Sequence, residues 1–504
     1  MDMSLESLAG ELFMVGIDGT ELTDEAARVL EQVKPGFIIL FSRNIESPEQ
    51  LYQLIKELRK VVKKPVVFSI DQEGGIVTRL RNGFTVSCGA MALAATKDEN
   101  NAYLAGKILA LEMKSLGITW NLAPVLDIND NPNNPGIGVR SFGDTPQKVI
   151  KFAKAFYKGL SEESVAACGK HFPGKGSVEV DAHLDMPVLQ KSLEELKRWE
   201  LIPFVELMKE GLESIMPSHI HLPQLQPDRL PATVSKEILT DLLRKTLNYH
   251  GIAVADDLLM GGITKAMSVE DAVINSFKSG MDVLSLCHEP QAQISAKKAL
   301  LEQIKKNPEL EKRLSESLGR IKNFKEKFYL KTLPDEISFD FSDHEKIMDK
   351  IAEQSITLVS DEDKMIPLEL SVNDCVITVK TSRLVQVQET QMGIPWVAKE
   401  LSEKFGCELL VVDKDSKLAK KGKKCVFFTE NAHLSAWQSR LLEQARSNFR
   451  QLLVVAMRNP YDCFLVNSSS ICSYSYEMVS QRALFKVLLG EIKPLGELPV
   501  EVFK

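Results

Sequence analysis

Short apolar runs recur along the first part of the chain, and stretches whose apolar positions have helical spacing separate them. The runs lie at 13–17, 36–41, 65–70, 118–125, 165–170, 214–220, 251–257 and 282–286, with helical stretches such as 47–62, 145–163 and 191–211 between them. Alternation of this kind predicts βα units and a parallel sheet. Eight units fit a closed (β/α)8 barrel, which typically takes ~250 residues plus insertions. An open doubly wound sheet is the alternative, and the strand count disfavours it.

The pattern changes after the eighth run and then restarts. Residues 289–330 read as one long charged helix, and 334–350 reads as a linker. New strand-like runs follow at 356–360, 375–379, 408–413, 424–429 and 451–456. The sequence therefore predicts an α/β protein with a barrel catalytic domain and trailing helix at 1–333, a linker at 334–350, and a smaller α/β sandwich at 351–504.

Polar residues follow five of the eight barrel runs. They are Asp71 to Gly75 after the third, Asp127 to Arg140 after the fourth, the His171 loop after the fifth, Ser218-His219 at the end of the sixth, and Asp256-Asp257 at the end of the seventh. The carboxyl ends of barrel strands share one face, so these residues are predicted to converge there. For any one of them alone, capping or turn formation is the competing interpretation.

The most distinctive loop begins at the fifth run. Four of the eight histidines lie between 171 and 221, and Asp181-Ala182-His183 could pair a carboxylate with an imidazole for acid/base work. A histidine merely satisfied within a Gly-rich turn is the competing interpretation. The stretch from Gly169 to Gly176 also approaches a phosphate-binding loop, but its last position lacks the Ser or Thr that holds magnesium. Pro173 removes a further backbone donor, so a nucleotide site is disfavoured.

Composition narrows the class of protein. The chain has 504 residues, 44% apolar and 26% charged, which is typical of a soluble globular protein. The net charge of -7 argues against a nucleic-acid binder. We find no signal peptide and no run long enough for a bilayer, so no membrane association is expected. Eight scattered cysteines without a C-x-x-C pair suggest neither a zinc site nor a disulfide framework, and a reducing cytoplasm is expected.

Taken in order, several motifs resemble glycoside hydrolase family 3, specifically its β-N-acetylglucosaminidase branch. They are FMVG at 13–16, DQEGG at 71–75, NLAPVLD at 121–127, RSFG at 140–143, KHFPG at 170–174, DAH at 181–183 and ADDL at 255–258. RNPYD at 458–462 and GEIKPLGELP at 490–499 resemble the second domain of the family. The likeness covers nearly the whole chain.

The resemblance implies roles for particular residues. Asp256 corresponds to the catalytic nucleophile, His183 to the acid/base and Asp181 to its partner. The positions that correspond to sugar-binding residues are Asp71, Arg79, Arg140, Lys170 and His171. The implied activity is a retaining exo-β-N-acetylglucosaminidase without metal or organic cofactor. Such enzymes commonly act on peptidoglycan fragments that carry 1,6-anhydro-N-acetylmuramic acid.

The sequence departs from the family pattern at two positions and leaves several alternatives open. Ile76 stands where arginine is usual, and Lys175 where histidine is usual, so both bear on substrate preference. Asp257 competes with Asp256 as either nucleophile or helix cap. Phosphorolysis in place of hydrolysis, another family 3 β-glycosidase, and an inactive sugar-binding protein remain alternative functions. The sequence gives neither the aglycone, the oligomeric state nor the role of the second domain.

Overall fold

A computed structural model describes residues 4–179, 186–333, 339–380 and 393–501. Its first eight strands form one parallel sheet in which each strand pairs with its neighbours in the chain. The first and last strands also pair, and a parallel bridge from Val254 to Val283 closes the ring. The predicted (β/α)8 barrel is confirmed. Its strands are β1 Phe13–Gly16, β2 Phe37–Leu40, β3 Val67–Ile70, β4 Ile118–Asn121, β5 Ala166–Phe172, β6 Ser214–Pro217, β7 Ile252–Ala253 and β8 Leu284–Leu286.

Helices cover the outside of the barrel and recur in the second domain. They are α1 Leu5–Gly10, α2 Asp24–Val33, α3 Pro48–Val62, α4 Ala90–Ala95, α5 Glu99–Ser115, α6 Pro146–Glu162, α7 Leu193–Arg198, α8 Leu201–Lys209, α9 Gly261–Thr264, α10 Val269–Ser279, α11 Pro290–Lys306, α12 Pro308–Phe328, α13 Ser342–Ser355, α14 Trp396–Phe405, α15 Ala436–Asn448 and α16 Met478–Leu488. A π-helical segment, Glu237–Thr246, lies between β6 and β7.

Local sequence explains where several barrel helices begin. Ser47 caps α3 by accepting a hydrogen bond from the backbone N–H of Gln50, and Thr145 caps α6 in the same way through Lys148. Each of these caps is followed by proline at the first helical position, where no N–H is needed. Because the caps fix where the helices start, they also fix the length of the loops that leave β2 and β4.

The prediction of a single charged helix over 289–330 is wrong in one respect, because two helices occupy this range. Helix α11 ends at Lys306 and α12 begins at Pro308. Proline disfavours helical geometry in the residue before it, and Asn307 is extended, with φ -134° and ψ 107°. The Asn307 side chain then caps α12 by accepting from the N–H of Glu309.

The second domain contains a six-stranded sheet in the order β11-β10-β12-β13-β14-β9, in which only β9 is antiparallel to its neighbour. The strands are β9 Thr357–Ser360, β10 Cys375–Val379, β11 Glu408–Val412, β12 Gly422–Thr429, β13 Phe449–Ala456 and β14 Ser469–Cys472. The predicted α/β sandwich is confirmed, together with its five predicted strands. The sequence did not predict β14.

The domain boundaries at 333, 350 and 351 stay predictions. Within the range predicted as linker, residues 342–350 are helical and form the first part of α13. This helix packs against α16 of the second domain and α4 of the barrel. Across the described ranges, no helix is both long and apolar enough to cross a membrane.

Candidate active site

A cavity of about 700 Å³ opens at the carboxyl ends of the barrel strands. Its volume lies within the ~300–1,000 Å³ that ligand sites usually have. Six of the predicted site residues line it: Asp71, Arg79, Arg140, Lys170, His171 and Asp256. The structure thus brings together side chains that are far apart in the sequence. Their individual roles stay predictions.

Strand ends position most of these side chains. Asp71 directly follows β3, and Lys170 and His171 lie near the end of β5. Asp256 comes three residues after β7. Arg140 instead closes a short 3-10 turn, Gly138–Arg140, in the loop that follows β4. All four residues of β3 and all seven of β5 are buried, so the backbone that carries the polar groups is held by the packed barrel.

A network of buried opposite charges forms one wall of the cavity. Lys170 Nζ lies 2.6 Å from Asp71 Oδ1 and 2.7 Å from Glu73 Oε1. Burial alone would raise the pKa of Glu73, but Arg140 and Lys170 lower it to about 2. Burial alone would lower the pKa of Lys170, but Asp71 and Glu73 hold it above its usual value. Both groups are therefore charged at neutral pH.

The imidazole of His171 is fixed from two sides. Its Nδ1 lies 2.7 Å from Asp127 Oδ2, and its Nε2 lies 3.4 Å from Arg140 Nη2. Asp127 also accepts from the backbone N–H of His171 at 3.2 Å and of Lys175 at 2.7 Å. Burial raises the pKa of Asp127 to about 6, although Lys175 and Arg140 oppose that rise. These contacts set the orientation of the ring that faces the cavity.

Close backbone packing explains why glycine, and not Ser or Thr, stands at the last position of the phosphate-loop pattern. A Cβ atom on Gly176 would lie 1.6 Å from the carbonyl oxygen of Ile128. No side chain fits there, so Ser or Thr at this position is incompatible with the observed contact between the loops after β4 and β5. The two departures from the family pattern are both buried: Ile76 belongs to the main hydrophobic cluster, and Lys175 donates its backbone N–H to Asp127.

The adjacent carboxyls of Asp256 and Asp257 have different surroundings. Asp257 Oδ1 accepts from the backbone N–H of Leu259 and of Cys287, each at 3.2 Å. Burial of this carboxyl raises the pKa of Asp257 to about 7, and the charge of Asp256 adds to the rise. Asp256 Oδ1 accepts from the N–H of Asp257 at 2.9 Å, and the residue is half-buried at the cavity wall.

Two predicted residues, Asp181 and His183, lie outside the described residues. Glu73 and Asp127 belong to the polar stretches that were predicted to converge at this face, but neither was assigned a role in the site. The signal for each was its position in the sequence, because Glu73 closely follows β3 and Asp127 follows β4. In the part of the chain that the structure describes, no group of three or more His, Cys, Asp or Glu side chains is arranged to hold a metal ion.

Known proteins resemble both the sequence and the fold. A β-N-acetylglucosaminidase of family 3 from Paenibacillus sp. str. FPU-7 superposes with a TM-score of 0.89 and 32% identity, covering 99% of each chain. A β-hexosaminidase from Idiomarina loihiensis is 38% identical over 280 residues, which are 55% of this chain and 83% of the relative. NagZ from Neisseria gonorrhoeae, solved with N-trifluoroacetyl-D-glucosamine, has a TM-score of 0.52 and 30% identity, covering 62% of this chain and 98% of its own.

The sequence also matches the model of a protein family. Residues 4–324 match the glycosyl hydrolase family 3 N-terminal domain. This range contains the whole barrel and every residue that lines the cavity. The chain therefore belongs to glycosyl hydrolase family 3 and is a glycoside hydrolase.

Proposed function

We propose that the protein is a retaining exo-β-N-acetylglucosaminidase that uses Asp256 as nucleophile and His183 as acid/base. The observation that carries the proposal is the composition of the cavity. Asp256 lines it together with Lys170, His171, Arg79 and Arg140. The full-length likeness to the Paenibacillus β-N-acetylglucosaminidase supports the choice of sugar.

The fixed cations and carboxylates suit a terminal sugar residue. Sugar hydroxyls need both donors and acceptors, and Lys170 and Asp71 supply one of each at a mutual distance of 2.6 Å. Arg79 Nη2 lies 3.7 Å from Asp71 Oδ2 on the same wall. Because these groups are already held by one another, little side-chain freedom is lost when a sugar binds.

In the first chemical step, the Asp256 carboxylate attacks the anomeric carbon and the glycosidic bond breaks. His183 gives a proton to the leaving oxygen, and a covalent glycosyl-enzyme forms with inverted configuration. His183 then removes a proton from water, whose oxygen attacks the same carbon and releases Asp256. The second inversion restores the original configuration. Asp181 would orient the imidazole and stabilise its charged form.

Asp257 is poorly suited to replace Asp256 as nucleophile. Its carboxyl already accepts two backbone hydrogen bonds, and burial raises the pKa of Asp257 to about 7, so part of the population is protonated at neutral pH. A protonated carboxyl does not attack carbon. These two facts favour Asp256, which is the residue that corresponds to the family nucleophile.

The natural substrate follows from the resemblance to the peptidoglycan-recycling branch. We propose muropeptide fragments with terminal N-acetylglucosamine, including those that end in 1,6-anhydro-N-acetylmuramic acid, and a cytoplasmic location. The gonococcal relative solved with an N-acylated glucosamine supports an amino sugar in the cavity.

The test is turnover of 4-nitrophenyl N-acetyl-β-glucosaminide beside the matching β-glucoside and β-xyloside. Each is assayed with and without inorganic phosphate, and the products are identified. Free N-acetylglucosamine from the first substrate supports the proposal, with Asp256→Ala as the inactive control. N-acetylglucosamine 1-phosphate would identify a phosphorylase, and preference for another glycoside would identify another family 3 activity. Binding without turnover would identify a sugar-binding protein.

A further inference from the structure

Polar contacts join the second domain to two barrel loops that carry cavity residues. We call residues 71–89 the β3 loop and residues 122–145 the β4 loop. The β3 loop carries Asp71, Glu73 and Arg79, and the β4 loop carries Asp127 and Arg140. Neither loop contains a barrel strand or α-helix, and their regular structure is the 3-10 turn that ends at Arg140 and two isolated bridges, Gly74 to Val77 and Val125 to Lys170.

The β4 loop is held at three points. Asn129 Nδ2 donates to Tyr461 Oη at 2.8 Å, and His433 Nε2 lies 3.1 Å from the carbonyl oxygen of Pro132. The same imidazole is fixed on its other side, where Nδ1 lies 2.7 Å from Asp462 Oδ1. Asn459 packs against Gly138, where a Cβ atom would lie 2.4 Å from Asn459 Oδ1. All four second-domain residues lie between β12 and β14.

The β3 loop is held through an ion pair between half-buried Arg81 and buried Glu477. The guanidinium of Arg81 contacts both carboxylate oxygens of Glu477. Glu477 is only 4% exposed, so loss of Arg81 would leave its carboxylate buried without this partner. Arg81 stands two residues after Arg79, which lines the cavity. The second domain therefore constrains the chain close to a cavity residue in this loop as well.

The two loops meet through an ion pair between Glu73 and Arg140, and Arg140 lines the cavity. A shift of either loop would move this ion pair, and Lys170 and His171 with it, since Lys170 contacts Glu73 and His171 contacts Arg140. We propose that the second domain sets the geometry of the sugar site, with Tyr461, His433 and Glu477 as positioning residues. None of these three lines the cavity.

Two buried tyrosines of the second domain provide a matched test. The hydroxyl of Tyr461 bonds to the β4 loop, whereas that of Tyr474 donates at 2.8 Å to Thr357 Oγ1 within the second domain. Each is 1% exposed, so Tyr461→Phe and Tyr474→Phe remove comparable buried hydroxyls. Comparable losses of thermal stability are expected. Only Tyr461→Phe should raise KM and lower kcat/KM, by about tenfold, because small misplacements of binding groups are costly.

Hydrogen exchange gives a readout that needs no substrate. The comparison of KM and kcat/KM rests on the proposed function. An inactive wild-type protein would count against the proposed function and not against the positioning role of the second domain. Amide exchange in peptides covering 127–145 should accelerate in Tyr461→Phe and stay unchanged in Tyr474→Phe. Glu477→Gln should accelerate exchange in peptides covering 71–89. Unchanged exchange in both loops, or equal kinetic effects of the two tyrosine variants, would overturn the inference.

Discussion

Arg140 donates two parallel hydrogen bonds to Glu73, from Nε to Oε2 at 2.9 Å and from Nη2 to Oε1 at 2.8 Å. The two residues come from loops after different strands, yet both side chains are buried. A bidentate arginine–carboxylate pair fixes direction as well as distance. This pair therefore holds Arg140 at the cavity wall and makes the structure of the site dependent on the charge of Glu73.

The charge of Glu73 should contribute measurably to acid stability. Its pKa is about 2 in the folded protein, against an ordinary value of 4.5. The ionised form is thus favoured by folding, so its stabilisation is complete above about pH 4.5 and is lost as the pH falls towards 2. The difference corresponds to about 3 kcal/mol in the free energy of unfolding.

Glu73→Gln should therefore weaken the fall in stability between about pH 5 and about pH 2. The measurement is the free energy of unfolding in denaturant at a series of pH values, for wild type and variant. Glu11 and Asp282, whose pKa values are also lowered by neighbouring cations, remain in both proteins and cancel in the comparison. Parallel pH profiles for the two proteins would show that Glu73 is not held ionised in the fold.

Asp256→Ala should abolish turnover, with a loss of roughly 10³-fold or more, while leaving thermal unfolding close to that of wild type. The variant lacks the carboxylate that forms the covalent bond to the anomeric carbon, so the first chemical step cannot proceed. A mechanism-based fluorosugar that keeps the 2-acetamido group should label Asp256 covalently. Peptide mapping that located the label on Asp257, or on no carboxyl group, would refute the assignment.

The sequence predicted most of the barrel because its strands are short apolar runs bounded by polar loops. It did not predict β14, whose residues Ser469 and Ser470 are polar but fully buried. Periodicity and hydrophobicity cannot reveal a strand of this composition in advance, because its burial depends on β13 and β9 on either side. The break between α11 and α12 did carry a local signal, namely Pro308.

The candidate site likewise contains residues that the sequence predicted and residues that it did not. Six of the residues that line the cavity were predicted from ordered motifs that follow the strands, whereas Arg43 and His288, which also line it, were not predicted. Asp127 was not assigned a role because its hydrogen-bond partners are the ring and backbone of His171 and the backbone of Lys175, more than forty positions away. Only the folded barrel brings these groups together. The positioning residues of the second domain were not predicted from the sequence for the same reason.

His183→Ala should slow turnover of natural disaccharides more than that of aryl glycosides with good leaving groups. Protonation matters most when the leaving oxygen is strongly basic, and general acid catalysis is typically worth ~10²–10⁴-fold. The measurement is kcat/KM across aryl glycosides of graded leaving-group pKa. Azide should restore part of the deglycosylation rate, because it attacks without a base. An equal loss on all substrates would count against His183 as the acid.

The acetamide of the substrate should form no bond to the anomeric carbon. With Asp256 as nucleophile, the acetamide serves only for recognition. In substrate-assisted hydrolysis, its oxygen attacks the anomeric carbon instead, and a carboxylate merely orients it. A thiazoline inhibitor imitates the cyclic intermediate of that second mechanism. We expect weak inhibition by such a compound, and a glycosyl adduct detectable by mass spectrometry on the peptide that contains Asp256. Asp256→Ala provides the control, because it should give no adduct. Tight thiazoline inhibition without any covalent adduct would exclude Asp256 as the nucleophile, even if the substrate proved to be an N-acetylglucosaminide.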